Sequence, residues 1–155
     1  MVRLSELPDF EREHLLAKNM KPIGPTPWVE PTKPVSAMRI ALITTAGLHF
    51  RDDTAFDFND SSFRVIPSEQ NAGDLVMSHS SVNFDRTGFQ EDVNLVFPID
   101  RLRELEAEGK VGSVADLHYS FMGAGLLPDA YEKSVRRLAA HLKGDNVDAV
   151  LLTPV

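Results

Sequence analysis

Cysteine is absent from the 155 residues. No disulfide, zinc–thiolate site or thiol nucleophile can come from the chain as written. Excess positive charge is missing too. The 16 Lys and Arg against 23 Asp and Glu leave a net charge of −7, with a pI near 5.1. A protein that tracks nucleic-acid phosphates needs a basic face, so nucleic acid is not an expected partner. No apolar run approaches the roughly 20 residues of a membrane helix, and no membrane association is expected. The opening MVRLSELPDFEREHLL carries acidic residues and lacks the apolar core of a signal peptide. The expected location is cytoplasmic.

What is there is ordinary for a folded domain: 43% hydrophobic and 25% charged residues, in a chain long enough for one core. A short helical segment is expected over 4–20. Then KPIGPTPWVEPTKPVS gathers five of the ten prolines. Proline fixes φ and removes a backbone donor, so this stretch reads as an extended arm. The organisation expected is an N-terminal helix and Pro-rich arm over 1–37 and an α/β domain over 38–155.

Residues 38–45, MRIALITT, form a continuous apolar run, as in a strand buried on both faces. AGLHFRDD reads as a loop. FRVI at 63–66 and DLVMS at 74–78 read as short strands within a polar, irregular segment that runs from 51 to 94. FPIDRLRELEAEG is a helix, with Ile99, Leu102 and Leu105 on one face and Gly109 past its end. VGSVADLHYSF holds a strand at about 114–119. Residues 129–143 form a second long helix, with Asp129 as its cap, and DAVLLT closes with a buried strand at 148–153. Strands alternating with helices predict an α/β fold: a mostly parallel sheet with helices on both faces, a Rossmann- or flavodoxin-like three-layer arrangement.

In such sheets ligands bind past the carboxyl ends of strands. Three stretches fall there. The first holds Thr44, Thr45, Gly47 and His49. The second is FMGAG with Gly123. The third is Thr153–Pro154–Val155. Glycines there permit close backbone approach to a ligand, or simply make a turn. His79, Asp85 and His118 are further pocket candidates. A scattered His/Asp set of this kind serves either as acid–base groups or as hydrogen-bonded structural residues. No HExxH-like spacing joins them, and no metal is expected. No serine stands in a G-x-S-x-G elbow, which leaves a hydrolase triad unsupported.

Several blocks, in order, carry a likeness: ALITTAGLHFRDDTAFD, FRVIP, SHSSVNFD, EDVNLVFPIDRL, VGSVADLHYSFMG and VDAVLLTPV. Over about residues 38–155 the chain resembles the selenoprotein B family of glycine/sarcosine/betaine reductase and D-proline reductase. The resemblance implies reductive cleavage of a C–N bond in glycine, betaine, sarcosine, D-proline or a related amine. It implies a selenocysteine or cysteine directly after a segment like LLTPV, so the redox residue is expected just after Val155 and no catalytic residue within the chain. It also implies a partner subunit bearing a pyruvoyl group, a dithiol reductant, and a small amine or amino acid as substrate. A homo-oligomer is expected, because a sheet ending at its last apolar strand exposes surface that favours self-association. The alternative is a catalytically inactive α/β module that binds a small amine or amino acid.

Overall fold

The structure is a computed structural model that describes residues 3–18, 22, 24, 25, 27–81 and 86–155. It divides into two compact units, Met1–Glu30 and Pro31–Val155. The first contains a 3-10 turn at Leu4–Glu6 and helix α1, Asp9–Leu16. Pro8 separates the two, where one continuous segment was expected. In the second unit Pro31–Ala37 is tied to the α/β body. Lys33 pairs with Asp148 at 2.7 Å, and Gly112 N–H donates to Val35 O at 3.2 Å.

Strand β1, Arg39–Thr44, is the centre of the main sheet. Its Ala41, Leu42 and Thr44 are fully buried, which is why the run is apolar on both faces. Strand β7, Ala149–Thr153, lies parallel to it over five pairs, from Ile40↔Ala149 to Thr44↔Thr153. On the other side of β1, one lane is shared by β5, Ser113–Val114, and β6, Leu117–Ser120. The single strand expected at 114–119 is therefore broken. At the break Leu42 N–H donates to His118 Nδ1 at 3.0 Å, so a side chain substitutes for a backbone acceptor.

Strand β3, Arg64–Pro67, pairs antiparallel with β6. The sheet is mixed, a correction to the predominantly parallel, Rossmann-like three-layer arrangement. The cause is in the connection. Residues 51–63 contain no helix to carry the chain back to the amino ends of the strands, as a parallel neighbour requires. The chain therefore enters β3 from the carboxyl end and runs the other way. A second, two-stranded antiparallel sheet joins β2, Leu48–Phe50, to β4, Leu75–Met77. β2 falls in the stretch expected to be a loop.

Helix α2, Thr87–Glu91, is short. Helix α3, Ile99–Ala107, buries Ile99 and Leu102 in a cluster with Ile40, Leu42 and Phe97. Helix α4, Glu132–Gly144, buries Leu138 with Tyr119 and Phe121, and Ile43 packs on that cluster. Residues alternate faces along a strand, so α3 and α4 belong to opposite faces of β1. Gly109 ends α3 with φ +69°, the left-handed C′ conformation. A 3-10 turn at Pro128–Tyr131 precedes α4, so Asp129 lies inside that turn and Tyr131 takes the cap position.

Candidate functional site

The three loop stretches that leave β1, β6 and β7 meet at the carboxyl end of the sheet. Thr45 N–H donates to Thr153 O at 3.2 Å, and Val155 N–H donates to Thr45 Oγ1 at 2.9 Å. Gly47 N–H donates to Phe121 O at 2.8 Å. Gly123 sits against Thr45 with φ +76°. A β-carbon there would stand 2.5 Å from Thr45 Cβ and 2.6 Å from its carbonyl oxygen. Only glycine satisfies both the dihedral and the approach.

Beside this junction is a cavity of about 420 Å³. Thr45, Phe121 and Gly123 line one part of it, and Leu126, Pro128, Tyr131 and Val135 the rest. The sequence builds this wall locally. Pro128 opens the 3-10 turn, and the turn delivers Tyr131 to the first residue before α4. There its ring meets Phe121 edge to face, with centroids 5.7 Å apart and planes at 81°. The Tyr131 phenol oxygen is buried without a hydrogen-bond partner among the described residues. Burial first, then the charge of Asp60, push its pKa above the usual tyrosine value. It therefore stays a neutral O–H at ordinary pH. Among the described lining residues only Thr45 and Tyr131 carry a polar side-chain group, and the Tyr131 oxygen is itself shut off from the cavity. Such a surface holds an apolar-bodied ligand and orients it by one or two hydrogen bonds. Among the described residues it contains no carboxylate, imidazole or amine to act as acid, base or nucleophile.

The remaining sequence candidates go elsewhere. Thr44 is buried, and its Oγ1 accepts from Ala46 N–H at 3.1 Å. Thr153 Oγ1 donates to Val96 O at 3.1 Å, while Pro154 is exposed. His49 turns away from the junction. Its Nδ1 donates to Phe50 O at 2.7 Å, which leaves Nε2 to accept from Ser78 Oγ at 2.7 Å. That bond ties β2 to the end of β4. His79 is buried. Its Nδ1 accepts from Ser81 N–H at 3.1 Å, and burial together with the nearby Arg86 charge lowers its pKa. His118 is locked in the β1 ladder, and its pKa falls to about 4, chiefly through burial. Asp85 lies outside the described residues. Among the described residues no group of three or more His, Cys, Asp or Glu could hold a metal ion, and no helix is long and apolar enough to cross a membrane.

Thr45 and Gly123 thus line the cavity, Thr153 and Val155 adjoin it through Thr45, and the histidines do not reach its lining. Sequence reasoning reached Phe121 only as part of the FMGAG stretch and missed Leu126, Pro128, Tyr131 and Val135. The one available signal was position. All four follow β6 within FMGAGLLPDAYEKSV, where a parallel sheet presents its loops to a ligand.

Residues 6–155 match the glycine/sarcosine/betaine reductase selenoprotein B family. The chain belongs to that family. It is 39% identical over 135 residues to the D-proline reductase subunit gamma of Acetoanaerobium sticklandii, a match covering 85% of this chain and 55% of that protein. It is 31% identical over 128 residues to the glycine reductase complex component B subunit gamma of Carboxydothermus hydrogenoformans, covering 78% and 29%. It is 30% identical over 128 residues to the betaine reductase complex component B subunit beta of Peptoclostridium acidaminophilum, covering 79% and 29%. The chain therefore spans about half the length of the first relative and under a third of the other two. Their names make all three subunits of reductases, and two of them components of complexes. No solved structure matches the chain significantly.

Proposed function

We propose that this protein is a subunit of a selenol- or thiol-dependent reductase that cleaves the C–N bond of glycine, betaine, sarcosine, D-proline or a related amine. In this reading the cavity beside Thr45 receives the carbon skeleton of the substrate. Family membership supports the reaction class. The observation that carries the site is the double role of Thr45. Its side chain lines the cavity, and its Oγ1 accepts the Val155 N–H at 2.9 Å. A selenocysteine or cysteine following Val155 would be presented at the rim of that cavity. The selenol or thiol would supply the nucleophile and the reducing equivalents, drawn from an external dithiol.

This chain's own residues then bind and orient. Phe121, Leu126, Pro128 and Val135 exclude water from the ligand body. The Tyr131 ring closes the wall edge-on to Phe121, and the Thr45 hydroxyl donates a hydrogen bond to the ligand or accepts one from it. Among the described residues the lining carries no charge to pair with an ammonium or a carboxylate. The charged end of an amino-acid substrate must therefore be held outside the cavity, as a pyruvoyl-bearing partner subunit would do.

The test uses the chain extended by one cysteine after Val155. Its alkylation by iodoacetamide is followed with glycine, sarcosine, betaine and D-proline each added separately at millimolar concentration. At least one amine should slow labelling, and Val135→Arg, which fills the cavity from its exposed side, should abolish the slowing. If none of the four protects the new thiol, or if protection survives the Val135 substitution, the assignment fails.

A further inference from the structure

Strand β7 is apolar on both of its faces and exposed on both. Its pairing with β1 fixes which side is which. Leu152 lies beside Ile43 and Val150 beside Ala41, on the α4 face, whereas Leu151 lies beside Leu42 on the α3 face. Leu152 is 63% exposed, Leu151 43% and Val150 39%. Among the described residues no strand pairs with the second edge of β7. An apolar edge strand of this kind is an association hazard unless something covers it.

The topology says what shape the cover has. The connection β6–α4–β7 steps across β1 with α4 on the Ile43 face. Parallel crossovers are almost always right-handed. A further step in the same direction therefore places its helix on the same face, over Val150 and Leu152, and its strand parallel to β7 on the free edge. A second copy pairing edge to edge would satisfy the β7 backbone but leave Leu152 uncovered, because that side chain stands perpendicular to the sheet. Relatives supply the length for such a unit. The match covers 55% of the D-proline reductase subunit gamma, so nearly half of that protein lies outside it.

We infer that β7 is an internal strand of the assembled reductase. Its occupant is an amphipathic helix followed by a parallel strand, supplied by the polypeptide equivalent to the part of the relatives that this chain does not span. The inference stands on the exposure and handedness of β7, and its test does not depend on which amine fills the cavity.

The 155-residue chain is co-expressed with the remainder of the A. sticklandii D-proline reductase subunit gamma as the probe, and amide exchange is read at 149–153. The two polypeptides should co-purify. The β7 amides that do not bond to β1 should slow by roughly a hundredfold, since they pass from open edge to sheet interior. Leu152→Asp, at an exposed site where the fold survives, should abolish co-purification while circular dichroism and thermal unfolding of the chain stay the same. Absence of co-purification with unprotected β7 amides would overturn the inference. So would a chain that alone scatters light as a dimer with those amides already protected, which would assign the surface to a second copy.

Discussion

His118 makes the stability of this protein depend on pH in a way that can be calculated. Its ring is fully buried, its Nδ1 accepts the Leu42 N–H in the gap between β5 and β6, and it packs edge-on to Phe97 with centroids 5.7 Å apart. As Nδ1 is an acceptor, the proton of the neutral ring is on Nε2, which has no hydrogen-bond partner among the described residues. Protonating Nδ1 would destroy the bond to Leu42 and bury a charge. The folded pKa is accordingly lowered from 6.5 to about 4, mainly by burial and next by the Arg103 charge. A depressed folded pKa means that the unfolded chain binds the proton first as pH falls. The site's stabilisation is complete above pH 6.5 and is lost between 6.5 and 4. By linkage about 2 kcal/mol is gone at pH 5 and about 3 kcal/mol at pH 4. Urea unfolding at pH 7.5, 6, 5 and 4.5 measures it. His118→Asn keeps an acceptor near the Nδ1 position and removes the titration. It should unfold more easily at pH 7.5, because the smaller side chain leaves a void, and its stability should fall less steeply over the same pH range. If the variant keeps the full pH dependence, or if the His118 ring titrates near 6.5 in an NMR experiment, the argument is wrong.

Gly123→Ala should destabilise by about 2 kcal/mol or more and perturb the Thr45 loop, since a β-carbon would overlap Thr45 in a left-handed conformation; urea unfolding reads the first effect and Thr45 amide shifts the second. Arg39 bonds the Asp145 and Val114 carbonyls and pairs with Asp145 and Asp116 at 2.5 and 3.0 Å. Arg39→Met should cost about 2 kcal/mol, by leaving the mostly buried Asp145 carboxylate unpaired. Asp145→Asn in the same background should recover part of that loss, which a double-mutant cycle in urea would show. Thr45→Val removes the acceptor of the Val155 N–H. It should cost about 1 kcal/mol and let the Val155 amide exchange at the rate of an open chain.

The strands that were legible in the sequence are those written as unbroken apolar runs. β1 is buried on both faces, as its run requires, whereas the strand expected to be buried at 148–153 is β7, whose Val150, Leu151 and Leu152 are exposed. α3 and α4 follow from three- and four-residue spacing of Ile, Leu and Val. β2 was not legible, because three residues after a glycine carry no period that distinguishes strand from loop. The direction of β3 was not legible either, since it depends on the absence of a helix over 51–63 rather than on any residue of RVIP. The break between β5 and β6 is a tertiary fact. Nothing local in ADLHYS says that the histidine will accept a hydrogen bond from a strand 76 residues away. In the site, glycine at 123 marked the junction, but the cavity wall is set by where the Pro128–Tyr131 turn points Tyr131, and that requires the folded sheet.

The most direct test of the central claim is a two-dimensional amide spectrum of the labelled chain titrated with D-proline, betaine, sarcosine and glycine. The account predicts saturable shifts confined to Thr45, Phe121, Gly123 and Tyr131 for at least one of these amines, with the Val135→Arg variant binding it more weakly. Shifts centred instead on His49 and Ser78, or on the separate hollow lined by Asp116, His141 and Asp145, would contradict it, as would no shift with any of the four.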